Sequence, residues 1–336
     1  MKALRYLALH SLALAAVALL AACSPGQKSD EAPKAGAPVV IRFATDWRAQ
    51  AEHGGFYQAL ASGEYAKRGL DVRIVQGGPG VNVPQLLASG AVDLGMGSNS
   101  FIVMNLAQEG VPVKAVAAFM QKDPQVLIAH PDTGVNSIAD LKGRPILLAD
   151  ASVTAFWTWL KAKYGFTDSQ VRKYTFNAAP FLAHKRAAQQ GYVTSEPYTI
   201  EKEAGLKPRV FLLADEGYPG YATMVLATDG MIAKNPAAVR AFVEASAQGW
   251  RDYLSGDATA ADALIRKDNP EMTPDVLAQA REKLKSYRIV EGEEGLPLGA
   301  MTDARWTAFF DVASSQGVYP KTLDPKRAYT LEFVGK

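Results

Sequence analysis

From Val39 onward, short apolar runs alternate with segments that have helical periodicity. The runs VVIRFAT (39–45), LDVRIVQ (70–76), VDLGMG (92–97) and VPVKAVAAF (111–119) are typical of buried strands. The segments between them, with apolar residues three or four positions apart, predict helices. Strands and helices in this order form βαβ units, and ligands bind beyond the carboxyl ends of the strands in such sheets.

The same rhythm is repeated in a second set of runs, which consists of QVLIAH (125–130), RPILLAD (144–150), KYTFN (173–177), GYVTS (191–195) and RVFLLA (209–214). One more strand, YATMVLAT (221–228), comes before a tail that reads almost entirely as helix. Because that tail lacks strands for a sheet of its own, we expect it to pack on the first set.

Two crossings between the sets follow from this order, near 120–124 and near 214–221. The sequence therefore predicts two α/β lobes, one from 39–122 plus 219–336 and one from 123–218. Lobes joined in this way can close on a ligand by a hinge motion.

The N-terminal segment has the layout of a secretory signal. Lys2 and Arg5 come before an apolar run at 6–22, and LAAC (20–23) ends in Cys23, which is the only cysteine of the 336 residues. This layout resembles a bacterial lipoprotein signal that is cut before the cysteine. We expect 1–22 to be a signal peptide, Cys23 to carry the lipid, and 23–38 to be a flexible tether in the periplasm; the alternative is an uncleaved anchor.

Charge and motifs exclude several classes of protein. Lys and Arg number 36 and Asp and Glu number 34, and both excess positive charges lie in the predicted signal, so the folded part has no electrostatic footprint for nucleic acid. The sequence contains no HExxH, GxSxG, P-loop or CxxC motif. The four histidines are not at metal-ligand spacing. We therefore expect no metal, no cofactor and no catalytic residue.

Polar and aromatic residues cluster where predicted strands end, in TDWRAQAEHGGFY (45–57), GSNS (97–100), ADASVTAFWTW (149–159) and GYVTSEPY (191–198). The residues we expect to contact a ligand are Trp47, Glu52, His53, Gly54, Ser98, Asn99, Ser152, Thr154, Tyr192, Glu196 and Tyr221. Most have a structural alternative. Ser98, Asn99, Ser152 and Thr154 are also suited to helix capping. Trp47 could instead be a core residue, and the glycines after His53 could serve only the turn.

The carboxylates restrict the ligand. Burying Glu52 or Glu196 against an anion would bring like charges together in a medium of low dielectric constant. A ligand with N–H donors or a positive charge would satisfy them, and Trp47 with Tyr192 could hold a flat ring between them.

The segments DWRAQAEHGGFYQAL (46–60), LLASGAVDLGMGSN (86–99) and GYVTSEPYTIEKEAG (191–205) resemble a family of ABC-transporter solute-binding proteins. Its members bind thiamine pyrimidine precursors, sulfonate or taurine, and nitrate. The family also includes the fungal enzyme that makes the thiamine pyrimidine. The resemblance implies a type II periplasmic-binding-protein fold and, as partners, an ABC permease and an ATPase that receive ligand from a monomer.

Within that resemblance, the carboxylates favour a pyrimidine precursor such as formylaminopyrimidine or hydroxymethylpyrimidine. Trp47 would stack on the ring, Glu196 or Glu52 would accept from its amino groups, and His53 and amides near Gly54 would bind its polar atoms. Tyr192 and Tyr221 would form the other wall. Riboflavin, a sulfonate, taurine or nitrate remains an alternative ligand.

Two hypotheses of other classes stay open. One is an enzyme of the pyrimidine-synthase type, although the lysine of that enzyme corresponds to Gly97 here. Its cysteine-rich iron motif corresponds to YPGYATMVLA (218–227), which holds no cysteine. The other is a sensor lobe that signals to a membrane partner without transport.

Overall fold

The strands form two sheets. A computed structural model describes residues 37–291 and 295–334, and from Pro38 onward they pack as one unit. The strands of the first sheet are β1 (Val39–Ala44), β2 (Leu70–Val75), β3 (Leu94–Asn99), β4 (Val113–Met120) and β10 (Ala222–Thr228). The strands of the second sheet are β5 (Gln125–Ala129), β6 (Ile146–Leu148), β7 (Val171–Lys173), β8 (Ala188–Tyr192) and β9 (Arg209–Leu212).

The helices cover the faces of these sheets. Those that precede β10 are α1 (Gly54–Ala61), α2 (Glu64–Lys67), α3 (Val83–Ala88), α4 (Ser100–Gln108), α5 (Asp150–Val153), α6 (Phe156–Tyr164), α7 (Ala179–Ala183) and α8 (Glu196–Ala204). Those that follow it are α9 (Asp229–Lys234), α10 (Pro236–Ser255), α11 (Thr259–Asp268), α12 (Pro274–Ser286) and α13 (Asp303–Ser315). Short 3₁₀ turns lie at Ala51–His53, Ile138–Leu141, Asp168–Gln170 and Pro325–Arg327.

Both sheets are mixed, with the same pattern. The first has the order β2-β1-β3-β10-β4, in which β1 is parallel to β2 and β3, and β10 is antiparallel to β3 and β4. The second has the order β7-β6-β8-β5-β9, in which β5 is antiparallel to β8 and β9. The sequence predicted the strands and the two-lobed α/β fold, which is confirmed. It did not predict that a late strand, β10, separates β3 from β4.

Some predicted boundaries are wrong for a physical reason. The strand expected at 191–195 is β8, which begins at Ala188 and ends at Tyr192. The sequence did not indicate that this strand begins before Gly191, because Gln189 and Gln190 are polar. Gln189 is fully buried, and Gln190 Oε1 accepts a hydrogen bond from the Ala149 amide at 2.6 Å. A buried glutamine is tolerated in a strand when its side chain has a hydrogen-bond partner, although polar residues do not suggest a buried strand in the sequence.

The tail contacts a helix of the first set of strands and helices. Helix α10 crosses α1, and glycines lie at the crossing. A Cβ atom on Gly249 would lie 2.1 Å from the Gly55 carbonyl oxygen. On the other helix, a Cβ atom on Gly54 would lie 2.1 Å from the Tyr253 ring and one on Gly55 would lie 2.2 Å from the Trp250 ring. The glycine pair of the first motif therefore lets two helices approach closely.

The two crossings between sheets are held by one side chain. Arg305 of α13 donates to the backbone carbonyls of Gln121 on the first crossing and of Pro219 and Gly220 on the second. Its guanidinium carbon also lies 4.1 Å from the centre of the Tyr221 ring. A planar guanidinium can bind several acceptors in this way and stack at the same time.

The predicted signal peptide, Cys23 and the tether up to residue 36 lie outside the described residues, and the lobe boundaries given above remain a prediction. Among the helices of the described ranges, none combines the length and apolar character needed to cross a bilayer.

Gly249→Ala should lower the free energy of unfolding by about 1–3 kcal/mol, because the added methyl group must push α10 away from α1. Urea denaturation at neutral pH measures this. Gly80→Ala is the matched control, since nothing lies within 4 Å of a Cβ atom placed there. Equal stability of the two variants would contradict the crossing described here.

Candidate functional site

The first wall of the site follows β1. Asp46 accepts a hydrogen bond from the Ser98 hydroxyl at 2.5 Å, and Trp47 beside it is half-buried. His53 is fully buried, with its Nε2 atom 3.3 Å from Asp46 Oδ1. Neither ring nitrogen of His53 has a hydrogen-bond partner among the described residues, and the same is true of Asp46 Oδ1. His53 Nε2 and Asp46 Oδ1 therefore face each other without hydrogen-bond geometry, while His53 Nδ1 has no hydrogen-bond partner among the described residues.

Glu52 lies where the two lobes meet. Its carboxylate is 3% exposed and accepts a hydrogen bond from the hydroxyl of Thr194, which belongs to the second sheet's side of the cleft. Burial raises the pKa of Glu52, and the hydrogen bond from Thr194 offsets only part of that effect. The Glu52 backbone amide also lowers this pKa through a hydrogen bond. A buried carboxylate with two neutral donors can accept further hydrogen bonds.

The second wall is the end of β8 and the start of α8. Glu196, in the first turn of α8, turns back so that its Oε2 accepts from the Tyr192 amide at 2.8 Å. Burial raises the pKa of Glu196, its hydrogen bonds lower it, and the charge of Glu52 raises it further. The two glutamates predicted from the sequence are therefore close enough to repel one another across the cleft.

Tyr192 lies among four carboxylates. Burial raises its pKa well above the usual range, and the charges of Asp123, Asp46, Glu52 and Glu196 add to that increase. The sequence analysis missed Asp46 and Asp123. Asp46 could have been suspected because it ends the first strand, but Asp123 lies in the first crossing, where a link to Tyr192 is visible only in three dimensions.

Two aromatic residues of the site were also missed. Tyr174 donates to Glu196 Oε1 at 3.4 Å and accepts from Gln189 at 3.3 Å. Phe176 contacts Trp47 from the other lobe, with ring centroids 4.8 Å apart. Both fall in the run that the sequence analysis assigned to a strand at 173–177. The strand ends at Lys173, so these side chains lie in the loop beyond its carboxyl end.

Helix α12 of the tail also bonds to the second lobe. Gln279 donates to the Thr194 carbonyl at 2.5 Å. Asp275 accepts from the Tyr198 hydroxyl at 2.6 Å and from Lys202 at 2.7 Å. Together with the Glu52–Thr194 and Trp47–Phe176 contacts, these bonds hold the lobes in a closed arrangement.

Several residues predicted to bind ligand are used otherwise. The Gly54 amide donates to the Ala51 carbonyl, and Gly54 packs on α10, so we assign it to packing rather than to ligand binding. Asn99 caps α4 by accepting from the Phe101 amide at 3.1 Å. The Tyr221 hydroxyl accepts from the Thr302 amide, and its ring lies on Arg305, which places it in the packing between β10 and α13.

Ser152 and Thr154 lie after β6 and show no contact with the carboxylates. Ser152 is buried in α5, with its amide bonded to the Ala149 carbonyl. Thr154 is exposed, donates to the Ala151 carbonyl and lines an open groove of about 600 Å³ with Asn105 and Lys161. That groove is large, but its lining contains no carboxylate or aromatic ring, so we do not place the site there.

The arrangement favours recognition of donors. It offers the carboxylates of Asp46, Glu52 and Glu196, the ring nitrogens of His53 and the faces of Trp47 and Tyr174. No group of acidic residues, histidines or cysteines in the described ranges is placed to hold a metal ion. A flat ligand that carries N–H groups would satisfy the acceptors and stack on the rings.

Ionisation of Asp123 should make the free energy of unfolding depend on pH. Burial raises its pKa from 3.8 to about 7, against a smaller opposing effect of the Gln125 amide and Arg305. In the unfolded chain Asp123 loses its proton near pH 4, whereas in the folded protein it keeps the proton up to about pH 7. The stabilisation that is fully present below pH 4 is therefore lost as the pH rises from about 4 through about 7. Asp123→Asn should remove that loss, which amounts to at most about 4 kcal/mol.

The measurement is urea denaturation of both proteins from pH 4 to pH 8. Glu52 and Glu196 contribute in the same direction to each curve, so the difference between wild type and variant isolates Asp123. Asp311→Asn at an exposed position is the control. Parallel wild-type and Asp123→Asn curves would show that Asp123 ionises normally.

The chain is similar to known binding proteins over most of its length. It is 25% identical to the riboflavin-binding protein RibY of Chloroflexus aurantiacus, covering 96% of this chain and 97% of that one. It is 26% identical to the formylaminopyrimidine-binding protein of Halalkalibacterium halodurans, covering 84% and 81%.

Among solved structures, the alkanesulfonate-binding protein SsuA of Xanthomonas axonopodis pv. citri, bound to MOPS, superposes with a TM-score of 0.64 at 16% identity, covering 88% of this chain and 99% of that one. This likeness confirms the periplasmic-binding-protein fold. The family model described as NMT1/THI5 like matches residues 50–260. The match covers more than half of the sequence, so the chain belongs to the NMT1/THI5-like family.

Proposed function

We propose that this protein is the lipid-anchored solute-binding component of an ABC importer and that it binds a small flat nitrogen heterocycle, most simply a thiamine pyrimidine precursor. The protein would hold its ligand between the two lobes in the periplasm and pass it to a permease. It would carry out no chemistry on the ligand.

The observation that carries the proposal is the pairing of Trp47 with carboxylates from both lobes. Burial is the main reason why the pKa of Glu196 is raised, and repulsion from the charge of Glu52 on the other lobe adds to that increase. A ring that donates N–H groups to both carboxylates would replace that repulsion with charge-assisted hydrogen bonds. The ligand would then stabilise closure, which is what a solute-binding protein needs.

The family and the relatives support this class of ligand. One relative is named for binding formylaminopyrimidine and another for binding riboflavin, and both of these ligands are flat nitrogen heterocycles. Riboflavin is therefore the second candidate. It is favoured specifically by the match to RibY, which spans nearly the whole of both chains.

The site is less suited to anions and to catalysis. A sulfonate or nitrate would face the carboxylates of Asp46, Glu52, Asp123 and Glu196, which together surround Tyr192. For an enzyme of the synthase type, the position of the lysine is Gly97, and a side chain there would crowd Leu226 at 3.1 Å. The sequence also has no cysteine beyond Cys23 to form an iron motif.

Titration calorimetry of the purified protein tests the proposal. The panel is formylaminopyrimidine, hydroxymethylpyrimidine, riboflavin, taurine and nitrate. We expect one of the first two to bind most tightly. Tight binding of riboflavin alone would select the second candidate, and tight binding of taurine or nitrate alone would overturn the heterocycle proposal.

Trp47→Ala should weaken binding of the preferred heterocycle by about 1–3 kcal/mol, since a base-like ring that stacks on an aromatic side chain gains about that much. Calorimetry with the same ligand measures the loss. Trp47→Phe should keep most of the affinity. Val40→Ala is the control, because Val40 is 44% exposed near the start of β1, at the other end of the strand from Trp47. Unchanged affinity in Trp47→Ala would remove the stacking role.

A further inference from the structure

Phe176 has three unusual properties at once. It is 51% exposed although it is a large apolar residue, and its backbone φ angle is 60°. That left-handed region is unfavourable for a bulky side chain, so the surrounding contacts must hold it there. Its ring contacts Trp47 of the opposite lobe at 4.8 Å and Tyr174 of its own lobe at 5.2 Å.

The loop around Phe176 is fixed from within. The Asn177 side chain accepts a hydrogen bond from the Ala179 amide at 2.8 Å, which ties the loop to the start of α7. On the other side, Tyr174 is 4% exposed and donates to Glu196. The strained position of Phe176 is therefore linked to a carboxylate of the site through Tyr174.

The side chains of the site differ in exposure. Glu52 and Tyr174 are almost completely buried, Trp47 is half-buried, and Phe176 is half-exposed. Phe176 thus lies at the outer end of the cleft, with the carboxylates at its inner end. The contact between Phe176 and Trp47 joins the two lobes at that outer end.

The distance between the rings limits what can lie between them. Carbon atoms in contact are about 3.5–4 Å apart, so a flat ligand sandwiched between two rings requires centroids about 7–8 Å apart. The observed 4.8 Å leaves no space for a ring between Trp47 and Phe176. A ligand must lie on the inner side of this pair, or it must displace Phe176.

We propose that Phe176 is a specificity-determining residue that closes the outer end of the cleft against Trp47 and so selects single-ring ligands over fused three-ring ligands. This inference rests on the proposed function, since it concerns the same site. A pyrimidine would lie between the Trp47–Phe176 pair and the carboxylates without displacing Phe176. An isoalloxazine is longer, so it would have to displace Phe176 and lose the contact between the lobes.

The test is calorimetry of wild type and Phe176→Ala with hydroxymethylpyrimidine, formylaminopyrimidine and riboflavin. We expect wild type to prefer a pyrimidine. Phe176→Ala should shift the ratio of the riboflavin and pyrimidine dissociation constants toward riboflavin by about tenfold or more, as expected when one apolar contact that excludes a larger ligand is removed. Phe176→Leu keeps most of the bulk and should keep most of the preference.

Two controls separate selectivity from folding. Val40→Ala removes an exposed apolar side chain at the other end of β1 and should leave the ratio unchanged. Phe176→Gly accepts the positive φ angle without strain, so its thermal midpoint should equal or exceed that of Phe176→Ala. A large drop in the midpoint of both Phe176 variants would show that the residue is structural, which would overturn the proposal.

The remaining outcomes are distinct. An unchanged ratio in Phe176→Ala overturns the inference and leaves the proposed function standing. Wild type that prefers riboflavin also overturns it, while binding of a heterocycle still supports the function. Wild type that binds none of the three overturns the proposed function, and the inference is then overturned with it.

Discussion

The buried Glu52 carboxylate is the constraint on which the closed structure depends. It comes from the first lobe, and the hydroxyl that binds it, that of Thr194, comes from the second. Removing a carboxylate from water costs several kcal/mol unless donors replace the water. The Thr194 hydroxyl, the Glu52 backbone amide and His53 compensate only in part, since burial still raises the Glu52 pKa and Asp46 adds negative charge nearby. The closed protein therefore favours a ligand that brings donors, which couples recognition to closure.

The polar contacts between the lobes are of two kinds, which differ in how strongly water and salt screen them. Asp275 with Tyr198 and Lys202 lies at the surface, and its attraction is screened by water and salt. The Glu52 region is buried, so its interactions are screened much less. Salt should therefore weaken the surface contacts between the lobes more than it weakens the contact between Glu52 and Thr194.

The sequence predicted more of the fold than of the site. Apolar periodicity located most strands and helices, and the position of Trp47, Glu52 and Glu196 at strand ends was enough to nominate them. Other members depend on long-range geometry. Asp123 acts on Tyr192 from the first crossing, and Phe176 reaches Trp47 only because β7 ends at Lys173, three residues before it. The sequence analysis placed this strand at 191–195 and so did not include the fully buried Gln189, whose hydrogen-bond partner Tyr174 was also missed.

The helical tail has a function in this fold beyond covering the first sheet. Arg305 is 184 residues from Gln121, yet its guanidinium bonds to the carbonyls of Gln121, Pro219 and Gly220. Both crossings are therefore held by a residue of the C-terminal tail. Lys122 on the first crossing also pairs with Asp215 near the second, at 2.7 Å. Because the two crossings are the covalent links between the sheets, a clamp that binds both fixes the separation of these two segments.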